Sequence, residues 1–106
     1  MIERRKHPRT SIRYRVFFEC MDVQTQTVLQ DIGTVRDISP KGMLLESTRP
    51  IQAVKINVIF PLQDGDDIRV QGSVVYAIPK PEGIHHIGIV FEKVENGLIQ
   101  MIEKAS

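Results

Sequence analysis

"RYRVFFEC", residues Arg13–Cys20, sets Tyr14, Val16, Phe18 and Cys20 on one side of the chain and Arg13, Arg15, Phe17 and Glu19 on the other. Alternation of this kind has period 2, the period of a strand with one buried and one wet face. The pattern recurs along the chain. "TQTVLQDIGTVR", Thr25–Arg36, is rich in Thr and Val and holds Gly33 as a candidate bulge. Met43–Glu46 is short and apolar, and Lys55–Phe60 turns Ile56, Val58 and Phe60 to one side before Pro61. Ile68, Val70, Val74 and Tyr76 alternate with Arg69, Gln71, Ser73 and Val75, and Ile87, Ile89 and Phe91 alternate with His86, Gly88, Val90 and Glu92. Between these runs stand "QDGDD" at Gln63–Asp67 and "PKPEG" at Pro79–Gly83, both turns by composition.

About six short strands at regular spacing predict an antiparallel sandwich or barrel, and closure into a barrel removes the vulnerable edges. After Asn96 the period changes. Leu98, Ile99 and Ile102 share one helical face, which predicts one or two turns of C-terminal helix with Asn96 as its N-cap.

The chain has 106 residues, enough for one domain and one modest core. Hydrophobic residues make up 42% and charged residues 25%, ordinary for a globular protein, and no stretch is long and apolar enough to span a bilayer. Cys20 is the only cysteine, which excludes an internal disulfide and a Cys-rich zinc site. That usage, and a start without a signal-peptide run, point to a reducing, cytoplasmic setting. The net charge of +1 hides an asymmetry. Residues 1–15 hold six basic side chains against Glu3, a net of +5, whereas the remaining 91 hold eight basic and twelve acidic ones, a net of −4. A local positive field of this kind draws anions such as phosphates.

Two stretches carry chemistry. "DISPKG", Asp37–Gly42, joins two strand-like runs. Asp37 and Ser39 can cap backbone amides, Pro40 fixes one φ angle, and Gly42 permits close approach of a backbone or a ligand. Taken alone it reads as a well-made turn. "RRKHPR", Arg4–Arg9, places Pro8 after His7, so Arg5 and Arg9 lie on an extended or bent segment that could wrap a ligand. Taken alone it reads as a solvated tail or a nonspecific nucleic-acid patch. Together the two read differently. Arginine pairs bidentately with phosphate and with the O6/N7 edge of guanine. A carboxylate accepts from guanine's N1–H and N2–H₂ edge. Arginines, Asp37, a small hydroxyl and a glycine form a set suited to a guanine nucleotide.

The combination of R-x-x-x-R near the start with D-x-S-x-x-G after the first strands resembles the PilZ domain family. The matching residues are Arg5, Arg9, Asp37, Ser39 and Gly42, and the likeness extends to the late pair "GSVVYAI" and "GIHHIGIVFEKV". The resemblance implies an all-β fold: a six-stranded antiparallel PilZ-type barrel, split-barrel-like, with a short C-terminal helix. In that scheme residues 1–12 are a flexible arm, 13–94 the barrel and 95–106 the helix.

It also implies a receptor for cyclic di-GMP, bis-(3′–5′)-cyclic dimeric GMP, and no other cofactor or metal. By carry-over, Arg5 and Arg9 contact phosphates and guanine, and Asp37 contacts guanine and holds an arginine. Ser39 meets a phosphate or base edge, and Gly42 keeps the surface open. Arg4, just before the motif, goes in related domains with capture of two stacked ligand molecules. The arm folds over the barrel mouth when the ligand arrives. Ordering it costs about 1–2 kcal/mol per residue. Charge-assisted hydrogen bonds contribute about 1.5–3 kcal/mol each. Five or six of them plus stacking leave roughly −8 kcal/mol, or about micromolar affinity.

Other residues are less persuasive. His85 and His86 are neighbours on a strand and point to opposite faces, which disfavours a shared metal ion. Cys20 alternates with core positions and reads as a small hydrophobe. Asp64, Asp66 and Asp67 around Gly65 lack the glutamate of an EF-hand. No catalytic triad, Walker loop or dinucleotide fingerprint is present, so the chain reads as a binding module and not an enzyme. Its output would pass through an unidentified protein partner or through self-association as a homodimer. Motility, exopolysaccharide production, biofilm and virulence are the outputs the family offers. The alternatives are a nucleotide-independent adaptor of the same fold and a single-strand nucleic-acid binder. The last ranks lowest, because only Phe17 among the aromatics clearly takes an outward strand position.

Overall fold

A computed structural model describes residues 9–63 and 65–105. Its first strand carries the alternation read above. In β1 (Thr10–Met21) Val16, Phe18 and Cys20 are buried and Tyr14 is half-buried, whereas Arg13, Arg15 and Phe17 are exposed. The chain continues through β2 (Val28–Ser39), β3 (Gly42–Ser47), β4 (Lys55–Pro61), β5 (Asp67–Lys80), β6 (Ile84–Phe91) and α1 (Leu98–Ala105).

All pairings are antiparallel, and the six strands close in the order β1-β2-β3-β6-β5-β4. Closure is made by β1 against β4, with Phe17 opposite Ile59, Phe18 opposite Val58 and Cys20 opposite Ile56. The inward faces fill one core, with Phe18, Phe60, Ile38, Met43 and Leu45 at most 1% exposed. Tyr14 joins its edge. The Tyr14 ring lies 5.9 Å from that of Phe60, and its hydroxyl donates to the Pro61 carbonyl. Among the described residues no helix is long and apolar enough to cross a membrane.

Strand limits differ from the sequence reading where pairing carries the chain further. β1 starts at Thr10, three residues before Arg13, because Thr10 and Ser11 pair with Ile38 and Asp37. β2 starts at Val28, not Thr25, because residues 22–27 form the connecting loop. There the Asp22 carboxylate accepts from the amides of Gln24 at 2.8 Å and Thr25 at 3.0 Å. Those bonds hold its pKa below the ordinary carboxylate value. Gly33 is not a bulge. It pairs with Val16 in regular register, and the irregularity in β2 lies between Val35 and Asp37, at Arg36. A second one lies between Val74 and Tyr76 in β5, at Val75.

The helix begins at Leu98, two residues past Asn96, which lies in the preceding turn. The reason is local. The Glu95 amide is committed to the Pro40 carbonyl at 2.7 Å, and the Phe91 amide to the Lys41 carbonyl at 2.8 Å. This ties the segment to the β2–β3 turn before helix can form. Leu98 and Ile102, each 3% exposed, then enter the barrel core, while Met101 faces outward.

Cys20 is buried on the inner face of β1, and burial, with a smaller contribution from Asp22, raises its thiol pKa. The reactive thiolate is therefore scarcer than in an ordinary cysteine at pH 8. Native protein is expected to react with Ellman's reagent at least about tenfold more slowly than urea-unfolded protein, and equal rates would contradict this packing.

Candidate binding face

The strands bring the two motif stretches to one place. β2 ends at Ser39, Pro40 and Lys41 make the turn, and Gly42 opens β3 opposite Ser39. Pro40 cannot adopt positive φ, which excludes the primed turns usual in two-residue hairpins. Asp37 and Ser39 are thus strand residues on the approach to the turn. The Ser39 side chain still closes it, because its Oγ accepts the Lys41 amide at 3.2 Å. The residue is 7% exposed. With the oxygen engaged as acceptor, the hydroxyl proton is left to donate.

Arg9 is the first described residue, exposed, just before β1. Pairing of Thr10 with Ile38 and Ser11 with Asp37 delivers it to the end of β2. There Arg9 Nη1 donates to Asp37 Oδ1 in an ion pair with side chains 42% and 23% exposed. Two positions 28 residues apart are joined in this way. Arg4 and Arg5 lie outside the described residues.

Gly42 has a different role from the open surface expected of it. A Cβ there would collide with the carbonyl oxygen of Ile89 on β6. Glycine is required because the β6 backbone comes this close, which is the backbone alternative read from the sequence.

Cross-strand pairs extend the face from Asp37 to Leu44, Gly88 and Tyr76 on β3, β6 and β5. The alternation of β5 assigns Tyr76 the same side as Val70 and Val74. The bulge at Val75 reverses that parity, and Tyr76 is 41% exposed on the outer surface. Its ring fills the space that a Cβ on Gly88 would need. An aromatic therefore lies flat over a glycine, next to Leu44, in the row that begins at Asp37. No local feature of the β5 sequence marks the bulge. The pairing of a Tyr with a Gly on the facing strand was the only available signal.

The next row is polar. Arg36 Nη1 donates to Glu46 Oε2 at 2.7 Å, and His86 Nε2 lies 3.4 Å from the same oxygen. Among the described residues no three His, Cys, Asp or Glu side chains converge on a metal site. A large surface cleft of about 570 Å³ is bordered by Arg69, Gln71 and Lys93 and by no motif residue among the described ones.

A family model described as the PilZ domain matches residues 3–105. The chain belongs to the PilZ family. Solved PilZ structures share its barrel. The Inhibitor of motility MotI/DgrA of Bacillus subtilis aligns at TM-score 0.66 and 15% identity, over 98% of this chain and 50% of that one. The PilZ domain of YcgR from Escherichia coli with c-di-GMP gives 0.56 and 11%, over 97% and 86%. The MrkH–c-di-GMP complex of K. pneumonia gives 0.61 and 18%, over 97% and 51%. At these identities the likeness is one of fold. This PilZ domain spans about half the length of MotI and MrkH. A sequence search of curated proteins gives no match.

Two substitutions measure how much residues of this face hold the fold. Gly42→Ala is expected to cost about 1–3 kcal/mol in urea unfolding, since the Ile89 backbone must move. Arg9→Ala in ligand-free protein is expected to cost only about 0.2–1 kcal/mol, because its ion pair is solvent-exposed.

Proposed function

We propose that this PilZ domain is a cyclic di-GMP receptor that binds the dinucleotide on the outer face of β2, β3, β6 and β5, beside the Asp37–Gly42 turn. The observation that carries the reading is the Arg9–Asp37 ion pair. It brings one arginine of R-x-x-x-R to the carboxylate of D-x-S-x-x-G, so the two halves of the motif meet on one surface. A ligand with phosphates and guanine edges offers both groups stronger partners than they offer each other. Arg9 and Arg5 take phosphate or the guanine O6/N7 edge. Asp37 accepts from the guanine N1–H and N2–H₂ edge, and the Ser39 hydroxyl donates to a phosphate oxygen. Tyr76, flat over Gly88, gives a second purine a stacking surface. Arg4 favours a stacked pair of ligand molecules over one.

The role is that of a binding module whose occupied state is read by a partner protein. The conversion between states is the Arg9–Asp37 pair opening in favour of ligand contacts.

Isothermal titration calorimetry with cyclic di-GMP, GTP, cyclic di-AMP and an oligonucleotide tests the proposal. Saturation by cyclic di-GMP alone is expected. Arg5→Ala and Arg9→Ala are each expected to weaken it by about tenfold or more, the loss of one charge-assisted contact. Tyr76→Ala is expected to weaken it by about 1–3 kcal/mol, as removal of one base–aromatic stack does. No heat with any ligand would favour the nucleotide-independent adaptor. Oligonucleotide binding with a steep salt slope would favour the nucleic-acid reading.

A further inference from the structure

The outward side of β1 carries, in order, Arg13, Arg15, Phe17, Glu19 and Met21. Phe17 is 47% exposed at its centre. Its cross-strand neighbours are Ile32 on β2, 43% exposed, and half-buried Ile59 on β4. An apolar row three strands wide thus crosses the outside of the barrel, with a shallow cleft of about 320 Å³ along it. Among the described residues nothing covers the row. The binding face proposed above does not use it.

The charges around the row are ordered. Arg15 lies two residues before Phe17 and makes no ion pair among the described residues. Glu19 lies two residues after it. Gln30 Nε2 donates to one Glu19 oxygen at 3.0 Å and Asn57 Nδ2 lies 3.5 Å from the other, so the carboxylate is held in place without being neutralised. At the usual strand rise, each charge lies about 7 Å from Phe17, in opposite directions along the same strand.

We propose that a second copy of the chain docks here, β1 crossing antiparallel over β1 about a two-fold axis at Phe17. A two-fold contact joins one patch to itself, so the patch must be its own complement. A patch of one sign would need a partner of the opposite sign. This one has an apolar centre with a cation and an anion equidistant on either side, which is the arrangement that fits its own rotated copy. Phe17, Ile32 and Ile59 meet their equivalents. Arg15 of each copy meets Glu19 of the other, twice per dimer. The aliphatic stem of Arg13 covers exposed Met21 of the other copy. The outside of a closed barrel is convex, so contact is confined to β1 and its two neighbours. The interface then falls below about 1,200 Å², the class of weak, reversible complexes.

Sedimentation velocity on the full chain, from micromolar to about 1 mM, is expected to show concentration-dependent dimerisation. Arg15→Glu and Glu19→Arg each place like charges face to face and are expected to lower the association constant at least about tenfold. Combining them restores opposite charges, and the double variant is expected to return to within about threefold of the parent. Phe17→Ser is expected to abolish association while leaving the far-UV circular dichroism unchanged. Concentration-dependent shifts of the Phe17 ring resonances in the unmodified chain report the contact without any substitution. A parent that stays monomeric, Phe17 resonances that do not move, or a double swap that fails to restore association would each overturn the proposal. Because Phe17 and Arg15 lie outside the proposed nucleotide contacts, the outcome is independent of ligand binding.

Discussion

The closing of β1 onto β4 is the constraint on which the rest of the molecule depends. Four consecutive pairs, Phe17 to Cys20 against Ile59 to Ile56, turn an open sheet into a barrel and leave no unpaired edge there. The same strand places Tyr14, Val16, Phe18 and Cys20 in the core and pairs at its start with the end of β2. Arg9 is one residue upstream of that start. The strand that seals the barrel therefore also fixes where Arg9 stands, beside Asp37. Folding and the placement of Arg9 beside Asp37 are one event in this topology.

Much of the fold was legible in alternation alone. β1, β4 and β6 place their apolar residues where period 2 assigns them, and the chain turns between Leu62 and Asp66, within the stretch whose Gly and Asp content predicts it, although Asp67 already belongs to β5. The failures share one physical origin. An extra residue in a strand reverses the facing of everything after it, and a bulge costs too little to need a conspicuous sequence. Val75 does this to Tyr76, and Arg36 interrupts β2 just before Asp37. Gly33 was the visible candidate, yet it keeps regular register, and what its missing side chain makes room for is Leu45.

The face around Asp37–Gly42 was legible to a different degree. Residue types at motif spacing single out Asp37, Ser39, Gly42 and Arg9, whereas most of their contacts come from the fold. Ser39 serves the turn through Lys41, and Gly42 admits the β6 backbone. Asp37 engages Arg9, in keeping with the arginine the resemblance gives it to hold. These distinctions depend on which strand lies alongside, and β6 is more than 40 residues further along the chain from Gly42. Tyr76 escaped for the same reason, since its significance comes from Gly88 across the ladder.

The β2–β3 turn has one further property. Its two carbonyls, Pro40 and Lys41, are the acceptors for the Glu95 and Phe91 amides. A peptide flip at either position would strand a donor on the path into α1, and that helix seats Leu98 and Ile102 in the core. The turn and the entry to α1 are thus joined as a latch to its bolt: reorienting one breaks the hydrogen bonds that seat the other.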